Sequence, residues 1–208
     1  MKFKNRADAG QRLVKILERY RDSTHAIIIG LPRGGVIVAG EAAKELNLPL
    51  DIIVPRKIGA PGNPELAIGT VAEDGEPLLN EWLIEAYKIP RDYIDQTVAR
   101  ERQEAARRLK IYRASRPPLD LSGQTAILID DGIAMGSTMR AAIHSARAKN
   151  AASIVVAVPV AAADSFALIK KEADEALALH IPEFFSAVGA FYDEFGETGD
   201  KEVVAAML

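Results

Sequence analysis

Cysteine is absent from the 208 residues. This excludes a disulfide framework, a thiolate nucleophile and any cysteine-held zinc site. Histidine is nearly as scarce. His25, His144 and His180 fall at a strand start, in a helix and at a strand end, with no metal-like spacing. No Gly-x-Ser-x-Gly elbow accompanies them, so acyl-transfer chemistry is not expected. No apolar run approaches the roughly 20 residues that cross a bilayer. Met1 to Leu13 are charged and helical in period, unlike a secretion signal, and a cytoplasmic protein is the expectation. The net charge is only −3, which makes no electrostatic case for nucleic acid or membrane as a partner. No repeat or low-complexity tract interrupts the chain, and its length suits one domain over 1–208.

The chemistry concentrates between Ala126 and Met139. Ala126 to Ile129 are apolar and end on two adjacent carboxylates, Asp130 and Asp131. Small residues follow: Gly132, Ile133, Ala134, Met135, Gly136, Ser137 and Thr138. Met139, Ala142, Ile143 and Ala146 then repeat at helical spacing. The pattern reads as strand, acid pair, cradle, helix. Free backbone N–H groups at a helix N-terminus attract anions, and glycine lets a ligand approach the backbone. Two carboxylates beside such a site would repel a bare phosphate. They suit a ligand that also offers hydroxyls or a metal, as a sugar phosphate does. A Walker loop would need Lys where Ser137 stands, and no Gly-x-Gly-x-x-Gly exists for a dinucleotide.

This stretch closely resembles the phosphoribosyl pyrophosphate (PRPP) signature of the type I phosphoribosyltransferases. The resemblance implies that Asp130 and Asp131 hold the ribose 2′- and 3′-hydroxyls, and that Ala134 to Thr138 hold the 5′-phosphate. The PRPP-binding set is then Arg33, Gly34 and Asp130 through Thr138. It also implies an α/β fold, a mainly parallel twisted sheet flanked by helices with a C-terminal hood over 182–198; the helical pattern over 76–118 reads as an insertion that a compact enzyme of this type would not need. Mg2+ is the implied cofactor, PRPP and a small-molecule base the partners, and a homodimer the expected assembly.

Other parts of the chain can be set against that pattern. Residues 6–21 have the period of an amphipathic packing helix. The strand Ala26 to Ile29 runs into Gly30-Leu31-Pro32-Arg33-Gly34-Gly35, with a helix beginning near Val36. Arg33 offers a fixed charge suited to phosphate. The segment resembles the family's pyrophosphate loop, which implies a non-proline cis peptide near Pro32–Arg33. After the strand Leu50 to Val54 stand Arg56 and Lys57, then Gly59 to Pro64, a segment too rich in Gly and Pro for helix or central strand. It is expected to be a mobile catalytic loop with two cations at its root, with Asn63 and Glu65 as secondary candidates. Arg33, Arg56, Lys57 and Asp131 form the catalytic set.

From Glu76 to Pro118 the pattern is helical. Seven basic residues between 100 and 116 are read as a solvated face paired to Glu101 and Glu104. The strands Leu66 to Val71, Ile154 to Pro159 and Glu175 to Ile181, the helix Ala162 to Lys171 and a last helix near Asp200 to Leu208 complete the reading. In the hood, Phe185, Val188 and Tyr192 are the base-binding candidates. Asp193 follows the family's second-magnesium position, so the metal set is Asp130, Asp131 and Asp193. Ala134 stands where hypoxanthine-guanine enzymes carry an Asp, which argues against a 6-oxopurine acceptor. A non-catalytic PRPP- or nucleotide-binding regulator on the same fold is the alternative. A sugar-phosphate phosphatase ranks last, because Asp130-Asp131 is not an Asp-x-Asp pair.

Overall fold

A strand that is apolar at nearly every position has to be covered on both faces. The computed structural model, which describes residues 1–72, 76–114 and 116–208 and omits the side chain of residue 65, provides that cover. Its helices are α1 (Arg6–Leu17), α2 (Gly34–Leu46), α3 (Glu81–Ala86), α4 (Arg91–Arg113), α5 (Ser137–Ala148), α6 (Ala163–Glu172) and α7 (Asp200–Ala206). Its strands are β1 (Ala26–Gly30), β2 (Leu50–Ile52), β3 (Arg56–Ala60), β4 (Asn63–Val71), β5 (Leu78–Leu79), β6 (Thr125–Ile129), β7 (Ser153–Val160) and β8 (Glu175–His180). Five of them form a parallel sheet in the order β2-β1-β6-β7-β8.

Alternation along the strands sends neighbouring residues to opposite helix layers. Ile28, Ile127, Ile129, Val155 and Ala157 pack with Leu13 and Leu17 of α1 and Val38, Ala42 and Leu46 of α2. Ile29, Leu128, Val156 and Val158 pack with Met139 and Ile143 of α5 and Phe166 and Ile169 of α6. At about 25 cal/mol per Å2, each such fully buried aliphatic side chain contributes roughly 1.5–3 kcal/mol. The order places β1 between β2 and β6, so the chain leaves β1 toward one edge and returns on its other side. Ligands of parallel sheets bind at such a reversal, outside the carboxyl ends of the strands.

Two expectations need correction. The Gly59–Pro64 segment is not a loop but the tip of a hairpin: β3, β4 and β5 form a separate antiparallel sheet. Pro61 followed by Gly62, with φ +71°, is the pair a type II turn requires. Register shifts between Ile58 and Ala60 absorb Pro64, which stands so close to Gly59 that a Cβ there would lie 2.7 Å from the Pro64 Cα. Gly59 is thus tolerated in the edge strand β3, and Pro64 at the irregular end of β4, away from Gly69 and Thr70 where β5 pairs. The Glu65 side chain lies outside the described residues.

The 76–118 segment is not wholly helical either, since Leu78–Leu79 pair with β4. Its apolar residues Ile89, Ile94 and Val98 pack under the hairpin against Ile58, Ile68 and Val71. Its basic residues are only partly solvated. Arg107 and Arg108 pair with Glu104, but Arg113 is buried on Asp51 at 2.7 Å, and Arg116 donates to the carbonyls of Leu50 and Met207. Among the described residues no helix is long and apolar enough to cross a membrane.

Candidate active site

β1 and β6 lie side by side in register, Gly30 opposite Ile129, so their following loops start together. Leu31 N–H donates to the Ile129 carbonyl at 3.0 Å. The Pro32–Arg33 peptide is cis, at the expected bond. Gly34 and Gly35 then press directly on the acid pair. A Cβ on Gly34 would stand 2.1 Å from Asp131 Oδ2, and one on Gly35 would stand 2.6 Å from Asp130 Oδ1. No other residue type fits that approach. Asp131 N–H donates to Asp130 Oδ1 at 2.8 Å. Burial pushes the Asp130 carboxyl well above the usual carboxylate range, and the neighbouring Asp131 charge pushes it further. Burial also raises Asp131, against the pull of the Arg6 guanidinium.

Beyond the acids the loop is pinned on one side and open on the other. Ile133 N–H donates to the Val160 carbonyl at 2.9 Å, and Ala162 N–H to the Ile133 carbonyl at 2.8 Å. Ser165 Oγ donates to the Ala134 carbonyl at 2.6 Å. Gly136, with φ +78°, turns the chain into α5. Arg140 N–H bonds back to the Gly136 carbonyl at 2.9 Å. The N–H groups of Ser137, Thr138 and Met139 precede it and have no intrahelical acceptor. They form the N-terminal end of α5, which attracts anions. A cavity of about 270 Å3 lies there, lined by Asp130, Gly132, Ala134, Gly136, Ser137 and Val188 among others. Its size limits it to a small ligand.

The cations are dispersed. Arg33 is ion-paired with Glu197 of the C-terminal segment. Arg56 and Lys57 are consecutive in β3, so their side chains leave opposite faces of the strand. Arg56 donates twice to Glu101 of α4, at 3.0 and 2.8 Å. Lys57 borders a second cleft of about 820 Å3, with Thr70, Leu79, Asn80, Met135 and Ser137. Met135 and Ser137 line both cavities, so the two adjoin.

The hood is mostly packing. Val188 lines the small cavity and lies against Gly132, where a Cβ would meet it at 2.6 Å. Phe185 stacks on Phe191 with centroids 5.5 Å apart. Tyr192 is buried between Phe3 and Phe195, and its hydroxyl donates to the Asp131 carbonyl at 2.6 Å. Burial raises that phenol above its ordinary range, so it stays a donor. Asp193 is exposed and paired with Lys2 at 2.6 Å. Among the described residues no group of three or more acidic or histidine side chains is placed to hold a metal.

Residues 2–194 match the phosphoribosyl transferase domain family. The chain belongs to that family. It is similar to a Mycobacterium tuberculosis protein provisionally named a phosphoribosyl transferase, with 41% identity over 203 residues, covering 98% of this chain and 46% of that protein. The chain therefore spans less than half the length of this curated relative. A crystal structure of the protein TT1426 from Thermus thermophilus superposes with a TM-score of 0.83 at 39% identity, covering 100% of this chain and 98% of that one. A Deinococcus radiodurans protein named bifunctional protein PyrR is 30% identical over 119 residues, covering 55% of this chain and 63% of its own.

In this phosphoribosyl transferase domain a partner of the acid pair escapes a reading of the sequence. Arg6 Nε donates to Asp131 Oδ2 at 2.8 Å. A faint signal exists. Arg6 opens α1 directly after the Asn5 cap, and a cation in a first turn opposes the helix dipole. Such an Arg needs an acidic partner from elsewhere.

Proposed function

We propose that this domain binds PRPP and transfers its 5-phosphoribosyl group to a nitrogen of a base, with release of pyrophosphate. The observation that carries the reading is one cavity lined both by Asp130 and by Ser137 and Thr138 at the start of α5. A ribose 5-phosphate is proposed to lie there, with its diol on Asp130 and Asp131 and its phosphate on Ala134 to Thr138. In the reaction the bond from C1 to the pyrophosphate oxygen breaks, C1 passes through an oxocarbenium-like state, and the bond to the base nitrogen forms. No protein nucleophile is needed, which suits a chain without cysteine and with no histidine among the residues lining this cavity.

Arg33 and Lys57 are proposed to meet the negative charge gathering on pyrophosphate, with Arg33 first leaving Glu197. Arg56 is proposed to hold the hairpin to α4 through Glu101. Val188, and Phe185 behind it, are proposed to border the base, and Tyr192 to hold the Asp131 backbone rather than to stack. Mg2+ commonly takes one or two carboxylates and completes its shell with water and substrate phosphate. The Asp130–Asp131 pair fits that donor set, with Asp193 available only by exchanging Lys2. When bound, the ion would neutralise charge on the pyrophosphate. Ala134 disfavours a 6-oxopurine as acceptor.

A second reading, a PRPP-binding regulator without turnover, draws on the commitment of Arg56 to Glu101 and of Arg33 to Glu197. One assay separates them. The protein is incubated with PRPP, Mg2+ and a panel of bases, and pyrophosphate is followed. Base-dependent release names the acceptor. PRPP binding without release on any base would replace the transferase by the regulator.

A further inference from the structure

We infer that Arg6 is a positioning residue for diol recognition, holding the Asp131 carboxylate in place from the far side and tying it to the C-terminal aromatic segment. The inference rests on the sugar-phosphate reading of the cavity above and names a part of it that lies outside every motif.

Arg6 makes three separate contacts. Its Nε donates to Asp131 Oδ2 at 2.8 Å. Its Nη1 donates to the Gly196 carbonyl at 2.7 Å. Its guanidinium carbon lies 3.9 Å from the centre of the Phe195 ring. The group is 13% exposed, so its geometry is fixed by packing rather than by solvent. It also reaches the first loop, since a Cβ on Gly34 would lie 2.6 Å from Arg6 Nε. Asp131 is therefore gripped at two points. Arg6 takes one carboxylate oxygen, and Tyr192 takes its backbone carbonyl. Both grips lead to the 192–196 segment, because Tyr192 also packs on Phe195 at 4.9 Å.

A planar guanidinium with fork-like donors sets the plane of a carboxylate, which a point charge cannot do equally well. With Oδ2 taken, the remaining lone pairs of Asp131 are the ones left to accept a ribose hydroxyl. The same cation offsets one of two adjacent negative charges. Neither Arg6 nor Asp131 is among the residues lining the small cavity, but Asp131 directly follows Asp130, which is. Its effect on a sugar phosphate must pass through Asp131, since none of its three contacts is with the phosphate cradle of 134–138.

That separation supplies the test. Binding of ribose 5-phosphate and of inorganic phosphate is measured by calorimetry on the parent, Arg6→Met and Arg6→Lys. Arg6→Met keeps length and apolar bulk but donates nothing. It is expected to weaken ribose 5-phosphate about tenfold or more, the weight of a charged hydrogen bond, while phosphate affinity stays within about twofold. Arg6→Lys restores the charge without the fork. It is expected to recover part of the loss while remaining roughly threefold or more below the parent. Should Arg6→Met fail to fold, that Lys comparison decides alone. Equal affinities for ribose 5-phosphate in parent and variants would overturn the inference, as would parallel loss of both ligands, which marks a merely structural residue. A parent that binds ribose 5-phosphate no more tightly than phosphate would instead sink the sugar-phosphate reading, and the role of Arg6 with it.

Discussion

The two glycine-bearing loops stand side by side, follow paired strands and open helices, yet one is packed and the other is open. In the first, Gly34 and Gly35 lie so near the acid pair that added carbon atoms would collide with carboxylate oxygens. In the second, a Cβ on Gly136 would meet nothing nearer than 3.5 Å, although φ is +78°. Glycine answers a demand for space in one loop and for backbone conformation in the other. The first loop is a wall that holds Asp130 and Asp131 in place. The second is a cradle whose residues, Gly132 to Met139, line an open cavity. The small cavity is lined by the second loop and not by Gly34 or Gly35, so those two glycines act on affinity indirectly, through the acid pair.

Substitutions can break or sharpen this contrast. Gly34→Ala is expected to have the largest effect. Overpacking against Asp131 and Arg6 should cost about 2 kcal/mol of stability, and displacing the carboxylates should lower PRPP affinity roughly 100-fold. Denaturant melts and calorimetry check both. Asp131→Asn keeps the shape and removes the charge, and should weaken PRPP about 10- to 100-fold while the thermal midpoint holds. A parallel fall in stability would move Asp131 from binding to folding. Gly136→Ala should cost about 1 kcal/mol from the positive φ but leave phosphate affinity within roughly threefold. If Gly34→Ala and Gly136→Ala were indistinguishable, the wall and the cradle would not be different devices.

The smallest effect runs the other way. Burial and the Asp131 charge raise the Asp130 carboxyl in the folded chain. A carboxyl raised above its unfolded value destabilises the fold once both states are ionised. Asp130→Asn should therefore stabilise the chain by about 1 kcal/mol at neutral pH while weakening sugar binding. The gain should vanish below the ordinary carboxylate range, where Asp130 is protonated folded and unfolded alike, and grow as pH rises. Thermal melts across pH check it.

Much of this is legible in the sequence because both loops follow apolar strands, whose burial dictates the sheet. The acid pair and the small-residue cradle are local features and can be placed from local pattern, and the cis Pro32–Arg33 bond follows from the resemblance to the family's pyrophosphate loop. The misreadings are non-local. Arg56 and Lys57 look like one basic pair, but in a strand consecutive side chains part, and Arg56 goes to Glu101. Gly59 to Pro64 looks unstructured because a bulge that accommodates proline depends on the partner strand. Tyr192 looks like a stacking ring, and its burial depends on Phe3, near the other end of the chain. Arg6 meets Asp131 across 125 positions, beyond any motif.

The central claim is that one cavity grips the diol and the 5′-phosphate of a pentose together, and a crystal soaked with PRPP tests it most directly. The account predicts the 5′-phosphate on the amides of Ala134 to Thr138 and both ribose hydroxyls within hydrogen-bond distance of Asp130 and Asp131. Density for the sugar anywhere else, or hydroxyls turned away from both carboxylates, would contradict it.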